Sequence, residues 1–191
     1  TDDMYEHIVW KPGSFLNILN VCPDLYERVM VLNGVSKAYS MTGWRIGYCA
    51  GPKGLIKAMT NIQSQSTSNP TSISQVAAET GLNGDQSFIQ TMVTAFKQRH
   101  DFVVAAMNEI PGVSCSATDG TFYVLPNVQG VIERMSGVED DLALSEQLIE
   151  QAGVAVVPGS AFGAPGHMRL SIATSMANLE KAVARIKTAW A

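Results

Sequence analysis

Cysteine is scarce in this chain, three residues in 191. Cys22, Cys49 and Cys115 lie far apart with no CxxC spacing, which argues against a structural zinc site and against a dense disulfide framework. A reducing, cytoplasmic setting is expected. Histidine is equally sparse. His7, His100 and His167 each lack a second ligand at metal spacing, so each reads as a structural or surface histidine and no metal site is expected. Positive charge is in short supply too, with 13 Lys and Arg against 17 Asp and Glu and a net charge of -4. No basic stripe with interleaved aromatics marks a nucleic-acid groove. No apolar run spans a membrane, and the opening TDDMYEHIVW carries three acids and no secretory core. Internal repeats, low-complexity stretches and an initiator Met are absent, and the acids crowd the start as if the chain began within a fold. A fragment is expected.

What is present is enough apolar material, 46% of residues, for one large domain or two small ones. Segments of helical period alternate with short β-rich runs, the pattern of an α/β protein with parallel strands and crossover helices. Residues 29–32 and 44–50 read as strands of one sheet, the second ended by Gly51-Pro52. Residues 55–64 read as a helix, and Ser68-Asn69-Pro70-Thr71-Ser72 as a turn capping another through Ala78. From Asp85 to Ile110 apolar residues recur at helical spacing until Pro111-Gly112, which predicts one long helix. Short strands follow at 113–116 and 122–125, then a helix at 142–151, strands at 154–157 and 168–173, and a closing helix at 177–190. The boundary is placed in the long helix, giving residues 1–97 and 98–191.

The most informative stretch runs from Asn33 to Tyr48. It sets Lys37 just beyond a buried strand, then a Gly-containing turn, then Arg45 entering the next strand. A lone lysine at such a place is ordinarily a solvated surface residue. Here small neighbours (Gly34, Ser36, Ala38) and flanking apolar strands crowd it, an environment that favours a neutral amine able to attack an aldehyde.

The run SKAYSMTGWRIGY resembles the cofactor-lysine signature of the aspartate aminotransferase family, fold type I of the pyridoxal-phosphate enzymes. The likeness extends from Asp2–Tyr5 through the Ser68–Ser72 turn to the MRLSIA segment. It implies the C-terminal part of the large cofactor-binding domain followed by a small α+β domain. It also implies that Lys37 carries pyridoxal 5'-phosphate as a Schiff base and acts as general base, and that Arg45 pairs with the phosphate. Ser36 adds a hydroxyl to that phosphate or is simply a turn serine bonding its own backbone. Asp2 becomes the partner of the pyridinium nitrogen and Tyr5 that of the phenolic oxygen, where composition alone would give a frayed acid and a strand aromatic. Arg169 becomes the clamp on the substrate α-carboxylate, although an arginine in an apolar strand is ordinarily an edge residue. Gly120-Thr121-Phe122-Tyr123 resembles the family's strand that lines the substrate side, and Phe122 and Tyr123 otherwise read as ordinary core aromatics. The Ser68-Asn69-Pro70 turn either reaches a neighbouring subunit's phosphate or merely caps a helix. The family's Gly/Ser-rich phosphate loop, ring-stacking aromatic and asparagine are not found in this chain, so the fragment by itself is expected to be inactive.

The implied activity is transfer of an amino group between an amino acid, aspartate or a similar one, and a 2-oxo acid, in a homodimer. Two rivals share these residues: a β-lyase or decarboxylase on the same fold, and the aminotransferase-like sensor domain of a transcription regulator.

Overall fold

The computed structural model describes residues 1–191, which divide into two compact units, Thr1–Val93 and Thr94–Ala191. The division falls inside one long helix, so each unit takes part of that helix into its own packing.

In the first unit the strands β1 (Val31–Gly34) and β2 (Gly47–Ala50) pair antiparallel, Val31 opposite Ala50 and Gly34 opposite Gly47. This corrects the expectation of parallel strands. A parallel return needs a crossover element of a dozen or more residues, usually a helix. The link between β1 and β2 holds only the 3-10 turn Thr42–Trp44, so the chain doubles back. The one parallel pairing here is the isolated bridge of Asp2 with Leu32, in which Asp3 N–H donates to Leu32 O (2.9 Å) and Leu32 N–H to Thr1 O (2.8 Å). The second expected strand also begins later than its apolar residues suggested, because Trp44 belongs to the turn. The short helix α1 (Ile18–Val21) is closed by Asn17, whose side chain accepts from Leu19 N–H. Helices α2 (Lys53–Ser66) and α3 (Ser72–Asn83) follow β2. Ile8, Val35, Ala38 and Ala78 are buried in this unit.

Helix α4 (Ser87–Asn108) runs 22 residues. The second unit continues with β3 (Tyr123–Val124), α5 (Gln129–Arg134), α6 (Asp141–Ala152), β4 (Val157–Pro158), β5 (Met168–Ser171) and α7 (Met176–Ala189). Its sheet has the order β3-β5-β4 with both pairings antiparallel. The expected strand at 113–116 reduces to a bridge of Ser114 with Asn127. Helix boundaries follow local chemistry. Asp140 caps α6 by accepting from Ala143 N–H, and Gly153 ends it in the left-handed conformation. Ser175 caps α7 by accepting from Asn178 N–H. Val103, Met107, Leu144, Leu148, Met168, Ile172, Val183 and Ile186 form the core, and each large aliphatic side chain sealed there contributes about 1.5–3 kcal/mol relative to exposure.

One close backbone approach and one arginine side chain hold this unit together. Gly112, at φ +79°, lies so near Gly130 that a Cβ on Gly112 would stand 2.8 Å from Gly130 C, and one on Gly130 would stand 2.8 Å from Gly112 Cα. Arg134 on α5 donates to the carbonyls of Pro111 and Trp190, tying the end of α7 to the turn after α4. His100, sealed in α4, accepts from Thr118 N–H at Nε2 (3.0 Å) and lies 3.0 Å from Asp101 Oδ1 at Nδ1. That is a structural histidine with both ring nitrogens engaged. The three cysteines are free thiols, and burial pushes the Cys115 thiol up to about 11, so it behaves as a small hydrophobe and not as a nucleophile. No helix is long and apolar enough to cross a membrane, and no group of His, Cys, Asp and Glu is placed to hold a metal.

Candidate functional site

Lys37 sits in the tight turn that follows β1. Val35 and Ala38 on either side are fully buried, which pins the turn, while Ser36 and Lys37 are half-buried. The turn closes by Ser40 N–H donating to Lys37 O (3.1 Å) and Met41 N–H to Val35 O (3.3 Å). The Lys37 ammonium stands 5.8 Å from the centre of the Tyr5 ring, within the range of a cation–π contact. Two residues expected to act together are therefore neighbours.

Asp2 reaches the same strand from the other side of the sequence. Its backbone bridges Leu32, five residues ahead of Lys37, and its exposed carboxylate accepts from Met4 N–H (3.1 Å). The adjacent acid behaves differently. Asp3 is buried and accepts from the Thr1 hydroxyl (2.9 Å) and from the Asn17 side chain, so it holds the chain start and is not available to a ligand. Glu6 accepts from the Asn33 amide (2.6 Å), and the Asn33 side-chain oxygen accepts from Gly34 N–H (2.7 Å).

Arg45 is not in a strand. It caps the Thr42–Trp44 turn at φ 50°, a left-handed conformation that costs a residue with a side chain about 1 kcal/mol or more, and Ser40 adopts it too at φ 54°. Such backbone persists only where the surroundings enforce it. Here Ser74 of α3 donates its hydroxyl to Trp44 O (2.8 Å), fastening the turn to the helix. The Arg45 fork is exposed and donates once to Thr42 O (2.9 Å). Tyr39 donates to Gln86 (2.9 Å) and packs edge-on against Phe88; burial, with Glu6 nearby, pushes its hydroxyl up. Farther along, Ser68 is left-handed at φ 65°, and the Asn69 and Gln75 amides both donate to Pro70 O (2.8 Å each). Thr71 forms the N-cap of α3 without a side-chain capping bond, so the turn is not held by capping from that residue.

In the second unit Arg169 lies on β5, opposite Val157 of β4. Its guanidinium carbon is 4.4 Å from the centre of the Tyr123 ring and 4.4 Å from that of Phe162. A planar cation held between two aromatic rings keeps its edge, where the paired N–H donors are, for a planar anion such as a carboxylate. Tyr123, in the stretch that resembles the family's substrate-side strand, lies against this guanidinium. Phe162 was not anticipated; its signal was the glycine spacing Gly159, Gly163, Gly166 around an aromatic, just ahead of Arg169. Asp141 was also missed. It is buried, accepts from Ser160 N–H (2.7 Å) and Gly166 N–H (3.3 Å), and despite burial pushing its carboxyl upward these bonds hold it below the usual carboxylate range.

The chain as a whole is similar to known proteins. The family model described as "Aminotransferase class I and II" matches residues 1–186. The aspartate/prephenate aminotransferase of Nitrosomonas europaea is 56% identical over 191 residues, covering 97% of this chain and 48% of that protein. The protein of the same name from Cereibacter sphaeroides is 50% identical, covering 98% and 48%. The crystal structure of the aspartate aminotransferase from Rhizobium meliloti superposes with a TM-score of 0.93 at 46% identity, over 98% of this chain and 48% of that one. The chain thus spans about half the length of the curated relatives it matches, 48% in both cases. The expectation of a C-terminal portion is not upheld; what stands is the match over residues 1–186 and that half-length span.

Proposed function

Because this chain belongs to the class I and II aminotransferase family, we propose that it forms part of a pyridoxal-phosphate enzyme that moves an amino group between an amino acid and a 2-oxo acid. The observation that carries this is the Lys37 turn, with the amine over the Tyr5 ring and a conformationally enforced Arg45 eight residues on. The donor set fits the cofactor's functional groups one by one. Lys37 offers a primary amine for the aldehyde, Arg45 a guanidinium and Ser36 a hydroxyl for the phosphate, Asp2 a carboxylate for the ring nitrogen, and Tyr5 a hydroxyl for the phenolic oxygen. When bound, pyridoxal 5'-phosphate supplies a ring that accepts electron density from the substrate Cα.

The chain's own residues do the rest. Lys37 anchors the cofactor covalently and, as a free amine, takes the proton from the substrate Cα. Asp2 keeps a proton on the ring nitrogen. Arg45 and Ser36 bind the phosphate, and Arg169 holds the substrate by its α-carboxylate. On this reading the first unit belongs to the large cofactor domain and the second is the small domain. The working form is a homodimer, a reading supported by the exposed Ile62, Ile73 and Val76 of α2 and α3. Aspartate as amino donor and prephenate as acceptor follow from the names of the two relatives, and those names favour transfer over elimination or decarboxylation.

Borohydride reduction of the intact protein with its cofactor, followed by peptide mass mapping, tests the assignment. A phosphopyridoxyl group on Lys37 is the expected result. An adduct on another lysine, or none, would overturn it, and release of ammonia or carbon dioxide in place of a keto acid would move the reaction to another class.

A further inference from the structure

Arg169 has two aromatic neighbours, and they are held by different means. Tyr123 stands on β3 opposite Ser171 of β5, and Arg169 is two positions from Ser171 on the same face. Sheet register alone therefore places Tyr123 against the guanidinium. Phe162 has no such support. It lies in the 3-10 segment Gly159–Phe162, which belongs to no strand, and 51% of its surface is exposed, so core packing does not cage the ring. Its place over Arg169 is set by the backbone that carries it.

That backbone is fastened on both flanks to one side chain. Asp141, 2% exposed, receives Ser160 N–H on one carboxylate oxygen at 2.7 Å and Gly166 N–H on the other at 3.3 Å. Ser160 lies two residues before Phe162, and Gly166 three residues before Arg169. Between these points the loop closes on itself, with Gly163 N–H donating to Ser160 O (3.1 Å) and Ala164 N–H to Gly159 O (3.0 Å). Both carboxylate oxygens act as acceptors, a role an amide side chain can fill only once.

We propose that Asp141 is a positioning residue for substrate binding: its carboxylate clamps the 160–166 loop so that Phe162 closes one face of the Arg169 guanidinium and directs its edge to the substrate carboxylate. This rests on the reading of Arg169 as the carboxylate clamp. Asp141 lies far from Lys37 in sequence, and its effect is on substrate affinity and not on the proton transfer or on cofactor retention.

The test uses the intact, cofactor-loaded protein and the variants Asp141→Asn, Phe162→Ala, the double variant, and Arg169→Ala. Steady-state kinetics with the amino donor, titration with a non-reacting dicarboxylate such as maleate, and cofactor titration are measured for each. Asp141→Asn and Phe162→Ala are each expected to raise the Michaelis constant and the maleate dissociation constant about tenfold, the worth of one partly desolvated cation–π contact. The turnover number and cofactor affinity should stay near wild type. The double variant should be no worse than the single ones, since both remove the same contact. Phe162→Ala changes an exposed ring and keeps the test decisive should Asp141→Asn fold poorly. Wild-type maleate affinity in Phe162→Ala, additive losses in the double variant, or a fall in turnover and cofactor affinity alongside the Michaelis constant would each overturn the proposal. If Arg169→Ala binds maleate normally, the clamp reading fails and takes this inference with it. If Arg169→Ala is crippled while Asp141→Asn is normal, only the inference fails.

Discussion

Arg45 and Arg169 carry the same side chain into different surroundings, and the roles proposed for them differ accordingly. Arg45 is exposed, at the end of an enforced turn in the unit that holds Lys37, whereas Arg169 is enclosed by two rings in the other unit. Arg45→Ala is accordingly expected to weaken cofactor binding first. Arg169→Ala should leave cofactor binding intact and cost about 2–5 kcal/mol in binding of the amino donor, the usual loss when one partner of a charge-assisted pair is removed. A cofactor titration set beside the Michaelis constant for aspartate separates the two; an unchanged constant in Arg169→Ala would remove its role. The proposals for Lys37, Arg45 and Arg169 could be made from sequence because each sits in a run of distinctive neighbours that resembles the family's motifs. Asp141 and Phe162 were not legible there, because their part depends on hydrogen bonds and a ring contact between segments that a linear reading cannot bring together.

At the scale of elements, the long helices were the easiest to read. Apolar period and Pro111-Gly112 placed α4 within two residues of its limits at both ends, and α2, α6 and α7 also emerge where the spacing puts them. The strands were harder. β3 and β4 have two residues each, too short for alternation to register, and their pairing is decided by β5 between them. α5 was missed because Gly130 interrupts its first turn and Pro126 precedes it closely, both of which read as loop. The loop entering β5 has its own steric requirement. A Cβ on Gly159 would stand 2.3 Å from Ala164 O and 2.8 Å from His167 O, and backbone atoms cannot yield as a flexible side chain does. Gly159→Ala is expected to destabilise the second unit by about 3 kcal/mol, at the upper end for overpacking, and urea denaturation followed through that unit should show it. A change under about 0.5 kcal/mol, the range of an ordinary surface substitution, would mean that the loop is free to move away.

For the molecule as a whole, the most exposed large apolar side chains lie in the first unit, among them Ile62 of α2 and Ile73 and Val76 of α3, between 62% and 72% exposed. Large apolar side chains left this open favour association with another surface. These 191 residues on their own are therefore expected to self-associate. They are also expected to show no turnover of aspartate and 2-oxoglutarate with excess pyridoxal 5'-phosphate, because a lysine and an arginine cannot hold the cofactor in a reactive geometry unaided. Solution mass and a keto-acid assay decide it, and a monomer with ordinary transaminase rates would contradict both expectations.

The meeting of Gly112 and Gly130 bears on how this sequence can change over generations. Most packed pairs drift by exchange, one side chain growing as its partner shrinks. Here each residue is already the smallest possible and faces the other's backbone at 2.8 Å from the nearest position a Cβ would take, so neither can make room for the other. Gly112 is further held by its φ of +79°. No second change at the partner position restores what a first one breaks, and the two sites are closed to substitution independently, each by a main chain that mutation cannot trim.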